Sequence, residues 1–429
     1  MESTVLTIPV PSLVVLVGAS GSGKSTFAHR HFLATEVVSS DQCRALVSDD
    51  ESDQRATDGA FAVMHLIVAE RLRRGRVTVA DATNVTSRAR APLLALARRH
   101  DLPAVAVVFD LTEAVCVERA ANRPGRPVAV DVVRRHREQL EQSLPEFVRE
   151  GFQRVIVLQT PDETSGSAVR RVPLSPDHRH EVGPFDLIGD VHGCAGELEA
   201  LLAALGYVAD AGGVWRHPAG RRALFLGDLA DRGPRVRDTL AIAMAMVAAG
   251  SALAVPGNHD VKLVKALQGR PVRIAGGLEQ SLADLEQARD DFREAIVTFV
   301  NGLPSHLVLD HGRLVAAHAG MRAELQGRES RRVLSFALYG ETTGEIDPRG
   351  LPVRLDWARS YRGRATVVYG HSPVAVAEWR NRTINIDTGC VFGGQLTALR
   401  YPELTLVQVP AARAYAVPTR PIAPAAPGA

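Results

Sequence analysis

The chain has 429 residues, 46% of them apolar, enough to bury a sizeable core and to divide into two domains. Fifty basic against 48 acidic side chains leave a formal charge of +2, which excludes a long basic tract as the basis of any nucleic-acid binding. Four scattered cysteines (Cys43, Cys116, Cys194, Cys390) form no CxxC pair, so a disulfide-stapled scaffold is excluded and reduced thiols in a cytoplasmic protein are expected.

No basic segment precedes the first apolar run, so no secretory signal is expected. Leu240–Val255 is nearly all apolar but short for a membrane span, and it reads as a buried helix running into a strand. No membrane partner is expected. Only three lysines occur, Lys24, Lys262 and Lys265, which makes the setting of Lys24 conspicuous.

The β-branched strand Leu13–Val17 runs into GASGSGKS, Gly18 to Ser25, and then into a helical pattern. This is a complete GxxxxGK[ST] phosphate loop between a strand and a helix, the context its chemistry needs. Gly18, Gly21, Ser22, Gly23, Lys24, Ser25 and Thr26 are therefore the candidate nucleotide contacts. Backbone N–H groups and the helix N-terminus would cradle phosphate, Lys24 would neutralise the β/γ-phosphates of ATP, and Ser25 would ligate Mg²⁺.

The next strand ends in SSDQCR. Asp41 stands there either as a general base for an acceptor hydroxyl or as a helix N-cap. Arg44 and Gln54 follow as candidate acceptor-phosphate contacts or as solvent-facing residues. Val77–Asp81 is a third strand, with Asp81 near the metal's water or capping a turn. Ala104–Asp110 leads to ERAANRPGRP, where Arg119 and Arg123 share a helix face and form a candidate lid over the γ-phosphate.

Repeated strand–helix alternation makes residues 1–160 an α/β P-loop domain with a parallel sheet. Residues 161–184, rich in Pro, Ser, Gly and His, read as a linker, 185–408 as a second domain, and 409–429 as a disordered Ala/Pro-rich tail.

The second domain is organised around FDLIGDVHG, Phe185–Gly193, where a buried strand delivers Asp190 and His192 two residues apart. LFLGDLADRG, VPGNHD, VAAHAG, VYGHSP and INIDTG repeat the plan of an apolar strand ending in Asp, Asn or His beside Gly. Asp190 and His192 would bind one metal, Asp228 would bridge, and Asn258, His318 and His371 would complete the second. Mixed carboxylate, imidazole and amide donors suit Mn²⁺ or another divalent pair and argue against a thiolate zinc site. Such a pair can activate water and clamp phosphate oxygens. Arg232 is placed to fork onto phosphate, His259 to protonate the leaving oxygen, and Asp231 to hold its imidazole. Asp387 is open among ligand, phosphate-site support and strand cap. Cys194 and Cys390 read as packing residues.

GDVHG, GDLADRG, GNHD, HAG and GHSP resemble the calcineurin-like metallophosphoesterases, an α/β/β/α fold, near the protein phosphatase and diadenosine tetraphosphatase branch; GNHD stands where GNHE is usual. With GASGSGKST, SSDQCR, VSDDESDQ and ERAANRPGRPV, the two halves are similar, over roughly residues 10–405, to the bacterial polynucleotide kinase–phosphatases. That resemblance implies a 5′-OH kinase and a phosphatase for 2′,3′-cyclic, 2′- and 3′-phosphate ends of RNA, or of DNA, with ATP as donor. No lysine follows Lys265 in this sequence, so the KxDG nucleophile of that family's ligase module is not expected here, and the ligase would be either a separate chain or lost. The competing reading is a phosphoprotein or dinucleoside-polyphosphate phosphatase fused to a metabolite kinase or ATP-sensing domain.

Overall fold

The computed structural model describes residues 4–122, 128–286, 288–348 and 352–422. The chain divides into two compact units, Met1–Leu174 with Arg328–Ser330, and Ser175–Gly327 with Arg331–Ala429.

The first unit is built on a five-stranded, all-parallel sheet. Its order is Val37–Ser39, Thr78–Asp81, Leu13–Gly18, Ala104–Phe109 and Arg154–Leu158. The central strands are fully buried on both faces, which explains their predominance of Val, Leu and Ala. Leu13–Gly18 lies in the middle, so the loop that follows it opens at the carboxyl edge of the sheet, where doubly wound folds bind ligands.

The second unit stacks two sheets. One runs Ala252–Ala254, Arg222–Phe225, Phe185–Ile188, Gln395–Tyr401, Thr405–Pro410; the other runs Trp379–Arg380, Thr383–Asn385, Thr366–Tyr369, Leu314–Ala316, Leu307–Leu309, Asp177–His178. Phe185, Leu187, Leu224 and Leu226 meet Leu307, Leu314, Val368 and Ile384 in a core between them. Helices Ala195–Leu205 and Val236–Ala248 cover the first sheet, and Arg331–Tyr339 and Trp357–Ser360 the second, giving the α/β/β/α order. The apolar run at 240–255 is the end of the helix Val236–Ala248 followed by the strand Ala252–Ala254.

Two segments differ from their compositional reading. In 161–184, Pro161–Gly166 is a helix with a Thr160/Glu163 capping box, Ala168–Pro173 pairs parallel with Val5–Val10, and Leu174 is buried. Its polar residues decorate an exposed ribbon instead of marking a loose connection. The supposed tail continues the fold: Tyr415 and Ala416 donate backbone N–H groups to the Val391 carbonyl (2.9 and 3.0 Å), and the Tyr415 hydroxyl donates to Glu197 (2.8 Å). One aromatic anchor outweighs the Ala/Pro composition around it. Residues 423–429 lie outside the described residues.

Candidate functional site

In the first unit, the loop closes on itself through Lys24, whose Nζ donates to the carbonyls of Gly18 (2.9 Å) and Ala19 (2.8 Å). Gly23 immediately precedes the helix Lys24–His31 and takes φ 96°, a conformation that disfavours a side chain. A cavity of 1090 Å³ is walled by Gly21, Gly23, Lys24, Ser25, Thr26 and Arg119, and also by Asp41, Arg44 and Gln54. Gly18 and Ser22 are buried and do not line it. The Ser25 hydroxyl bonds the Asp81 carboxylate, whose pKa burial raises.

The two readings of Asp41 separate here. Ser39 is the N-cap of helix Ser40–Ser48, accepting from the Asp41 and Gln42 N–H groups (3.3 and 3.5 Å), so Asp41 stands in the first turn. Its carboxylate accepts from Arg44 Nη1 at 2.8 Å, and the same nitrogen reaches the Glu51 carbonyl at 2.8 Å. Arg44 is thus a buried partner of Asp41 and not solvent-facing. Gln54 is exposed on the cavity wall. Arg123 lies outside the described residues. Sequence reasoning missed His136, on the cavity wall, whose Nδ1 is buried without a hydrogen-bond partner among the described residues. Nothing in VVRRHREQL sets it apart.

In the second unit, six loops at the carboxyl ends of parallel strands converge. Phe185–Ile188 delivers Asp190 and His192, Arg222–Phe225 delivers Asp228, and Ala252–Ala254 delivers Asn258. Leu314–Ala316 delivers His318, Thr366–Tyr369 His371, and Thr383–Asn385 Asp387. Asp228 Oδ2 lies 3.5 Å from His192 Nε2 and 3.4 Å from His318 Nε2. Ligand atoms of His192, Asp228 and His259 lie within 4.8 Å of one another, as do those of Asp228, His318 and His371. Asp228 belongs to both groups.

The donor chemistry fits a divalent pair. His192 and His318 each present Nδ1 to a carbonyl, of Ala230 (2.8 Å) and Leu226 (2.9 Å), which fixes the proton there and leaves Nε2 as a lone pair. His318 Nε2 faces Asn258 Oδ1 and His371 Nδ1, both at 3.0 Å, and His371 Nε2 is buried without a partner among the described residues. Burial holds the His192 and His371 pKa values well below the ordinary range, so these imidazoles are neutral, as ligands must be.

Asp190 is next door to these close-set groups. It accepts the His371 backbone N–H (3.2 and 3.1 Å), and burial with the Asp387 and Asp228 carboxylates pushes its pKa up. Burial also raises Asp387 to about 6. A Cβ on Gly370 would stand 2.0 Å from Asp190 Oδ1, and one on Gly257 2.1 Å from Asp228 Oδ1, so both glycines are there for close approach. His192, Asp228, Asp231, Arg232 and His371 all have φ between 47° and 74°, a cluster of left-handed non-glycine residues at one site.

His259 Nδ1 bonds Asp231 Oδ2 (2.5 Å), and Ser281 holds Asp231 by donating to Oδ1 (2.5 Å) and accepting its N–H (2.9 Å). Arg232 donates to both His192 Nε2 (2.5 Å) and His259 Nε2 (2.8 Å). Two supports went unread in the sequence. Ser281 is one. The other is Asp260, whose buried carboxylate accepts the N–H groups of Leu229, Ala230 and Gly257 (2.9, 3.1 and 2.9 Å) and so ties GDLADRG to GNHD. Its position in GNHD was the available signal.

A family model described as calcineurin-like phosphoesterase matches residues 183–407, and one described as AAA domain matches residues 13–147. The chain is 48% identical over 235 residues to the bis(5′-nucleosyl)-tetraphosphatase PrpE (asymmetrical) of Anoxybacillus flavithermus, covering 54% of this chain and 96% of that one. It is 49% identical over 230 residues to the same-named protein of Geobacillus thermodenitrificans (53% and 94% covered), and 45% over 235 residues to that of Bacillus subtilis (54% and 96%). Among the described residues no helix is long and apolar enough to cross a membrane. A P-loop-type α/β domain is thus joined to a phosphoesterase domain that implies a divalent metal pair, and the chain belongs to the calcineurin-like phosphoesterase family.

Proposed function

We propose that the chain heals broken nucleic-acid ends, phosphorylating 5′-OH termini from ATP with Mg²⁺ and hydrolysing 2′,3′-cyclic, 2′- or 3′-phosphate termini. The carrying observation is that one cavity of the first unit holds both the phosphate loop and Asp41, as group transfer to an acceptor requires. An ATP sensor needs only the loop. In this reading Asp41, oriented by Arg44, takes the proton of the acceptor hydroxyl, while Lys24 and Arg119 offset charge on the transferring phosphoryl group.

In the phosphoesterase half, Asp190, His192, Asp228, Asn258, His318 and His371 would hold the divalent pair, Mn²⁺ or another. When bound, the pair supplies Lewis acidity and an activated water. His192 Nε2 has one lone pair and cannot both ligate and accept from Arg232. With His192 Nε2 given to a metal, the Arg232 Nη1 that bonds it here would be available for a phosphate oxygen. His259, oriented by Asp231 through Nδ1, would serve through Nε2 as the proton donor to the leaving oxygen. Asp387 supports the Asp190 side.

The test supplies ATP, Mg²⁺ and a 5′-OH oligonucleotide, then Mn²⁺ and an RNA ending in a 2′,3′-cyclic phosphate. Transfer lost in Lys24→Ala and hydrolysis lost in His192→Ala support the reading; no transfer by the wild type to RNA or DNA ends removes its kinase half. The names of the relatives favour a second reading, hydrolysis of dinucleoside tetraphosphates. Competition between diadenosine tetraphosphate and the RNA end ranks the two.

A further inference from the structure

Just past Asp387 the chain makes a tight turn from Gly389 to Gly394, in which the Gly389 carbonyl accepts the N–H groups of Phe392 (2.9 Å) and Gly394 (3.0 Å). The turn brings the half-buried Phe392 ring to the Arg232 guanidinium, whose Cζ stands over it, 5.3 Å from the ring centre. Arg232 spends its N–H groups elsewhere, Nη1 on His192 Nε2 and Nη2 on His259 Nε2. A carbon ring offers no lone pair, so it holds the guanidinium without occupying those donors. The turn is itself held by the chain beyond the last strand, Thr405–Pro410. Ala411 donates its N–H to the Gly394 carbonyl (2.9 Å), Ala414 bridges Phe392, and Tyr415 and Ala416 both donate to the Val391 carbonyl. The Ala412 N–H and the Tyr415 hydroxyl meet Glu197 Oε1 at 3.0 and 2.8 Å. Farther on, Arg420 bonds Asp347 Oδ2 at 2.7 Å and the Pro352 carbonyl at 3.0 Å. The segment is thus tied down before and after it passes the turn.

We infer that Phe392 is a positioning residue for Arg232, and that residues 411–416 fix Phe392 in place, so that phosphate binding depends on chain beyond the last strand. The inference rests on the hydrolytic half of the reading above, in which Arg232 meets the reacting phosphate. In that reading both imidazoles that bond Arg232 here are called away, His192 Nε2 to a metal and His259 Nε2 to the leaving oxygen. The ring contact survives both steps. A guanidinium already resting on an aromatic face has less rotamer freedom left to lose when phosphate arrives, so it binds more tightly than one free in solvent. The bonds to Val391 and Glu197 act one step further back, by keeping the ring where the guanidinium can use it.

The experiment measures binding of inorganic phosphate to the Mn²⁺-loaded full chain by calorimetry, together with KM and kcat on p-nitrophenyl phosphate. Phe392→Leu should weaken phosphate binding and raise KM about three- to tenfold, the size of a guanidinium–ring contact, with a smaller change in kcat. Phe392→Tyr keeps the aromatic face and should stay within about twofold of the wild type. Tyr415→Ala, which removes both the ring and the hydroxyl that fasten the segment, should weaken phosphate binding about two- to fivefold. Should that variant not fold, Tyr415→Phe loses only the bond to Glu197 and should show about a twofold effect. The decisive comparison adds Arg232→Ala to each: in that background neither Phe392→Leu nor a Tyr415 variant should change phosphate binding by more than about 1.5-fold, whereas a general loosening of the site would weaken it again. Losses that persist without Arg232, equal losses in Phe392→Leu and Phe392→Tyr, or unchanged binding in Phe392→Leu would overturn the positioning role. Unchanged binding in both Tyr415 variants would overturn the part given to residues 411–416. A wild type that binds phosphate but cleaves no phosphate ester defeats the hydrolytic reading separately, and the binding comparison still decides Phe392.

Discussion

The two candidate sites are assembled by opposite constructions. The loop of the first unit takes its shape from consecutive residues, Gly18 to Ser25, after a single buried strand. Its cavity is wide and shared with Asp41. The cluster of the second unit takes one or two side chains from each of six loops, almost all buried, several on left-handed backbone. A local site tolerates change everywhere except within itself. A dispersed one depends on every loop that feeds it.

That contrast can be broken or sharpened by substitution. The largest effect is expected at Asp228, whose carboxylate lies between both imidazole groups. Asp228→Asn should reduce phosphate-ester hydrolysis by about 1000-fold or more while leaving transfer from ATP intact, measured as kcat on a 2′,3′-cyclic phosphate end. A comparable loss of both activities would mean the units are not independent. Lys24→Ala is the mirror experiment: a loss of about 100-fold or more in transfer, with hydrolysis within about twofold of the wild type.

Gly370→Ala tests dispersion away from any donor atom. Its new Cβ meets Asp190 Oδ1, so hydrolysis should fall about tenfold and metal affinity should weaken, with a stability loss of about 1–3 kcal/mol by thermal or urea unfolding. Unchanged metal titration would show that Asp190 can yield.

The smallest effect concerns stability alone. His306 is fully buried, accepts the Gly327 N–H through Nε2 (2.9 Å), and burial holds its pKa at about 3. The unfolded chain takes up that proton below about pH 6.5 and the folded chain does not, so its stabilising contribution is complete above pH 6.5 and is lost as pH falls toward 3. Between pH 6.5 and 5 the wild type should lose about 2 kcal/mol through this group. His306→Gln, which keeps an acceptor for Gly327, should lose less over the same interval in urea unfolding.

Much of the architecture was legible because it rests on patterns of short range. Leu13–Val17, Val77–Asp81 and Ala104–Asp110 are short, mostly apolar runs, and the strands fall within a residue or so of them. The apolar strand ending beside Gly marked the six loops for the same reason. What stayed hidden depends on contacts across distance. Asp260 looks like any helix-start acid until its three backbone donors are in place. Ser281 sits fifty residues from the Asp231 it holds. The N-cap role left open for Asp41 falls to Ser39, a choice set by backbone angles that residue types do not reveal. At the far end, composition hid a segment that a single tyrosine fastens to the fold.

Sharing Asp228 between both donor groups has an evolutionary corollary. Neither half of the cluster can drift on its own, because any change to the common carboxylate reaches the other at once. Descendants of this chain should therefore keep the whole set or lose it together, and a lineage with only one half intact would be rare.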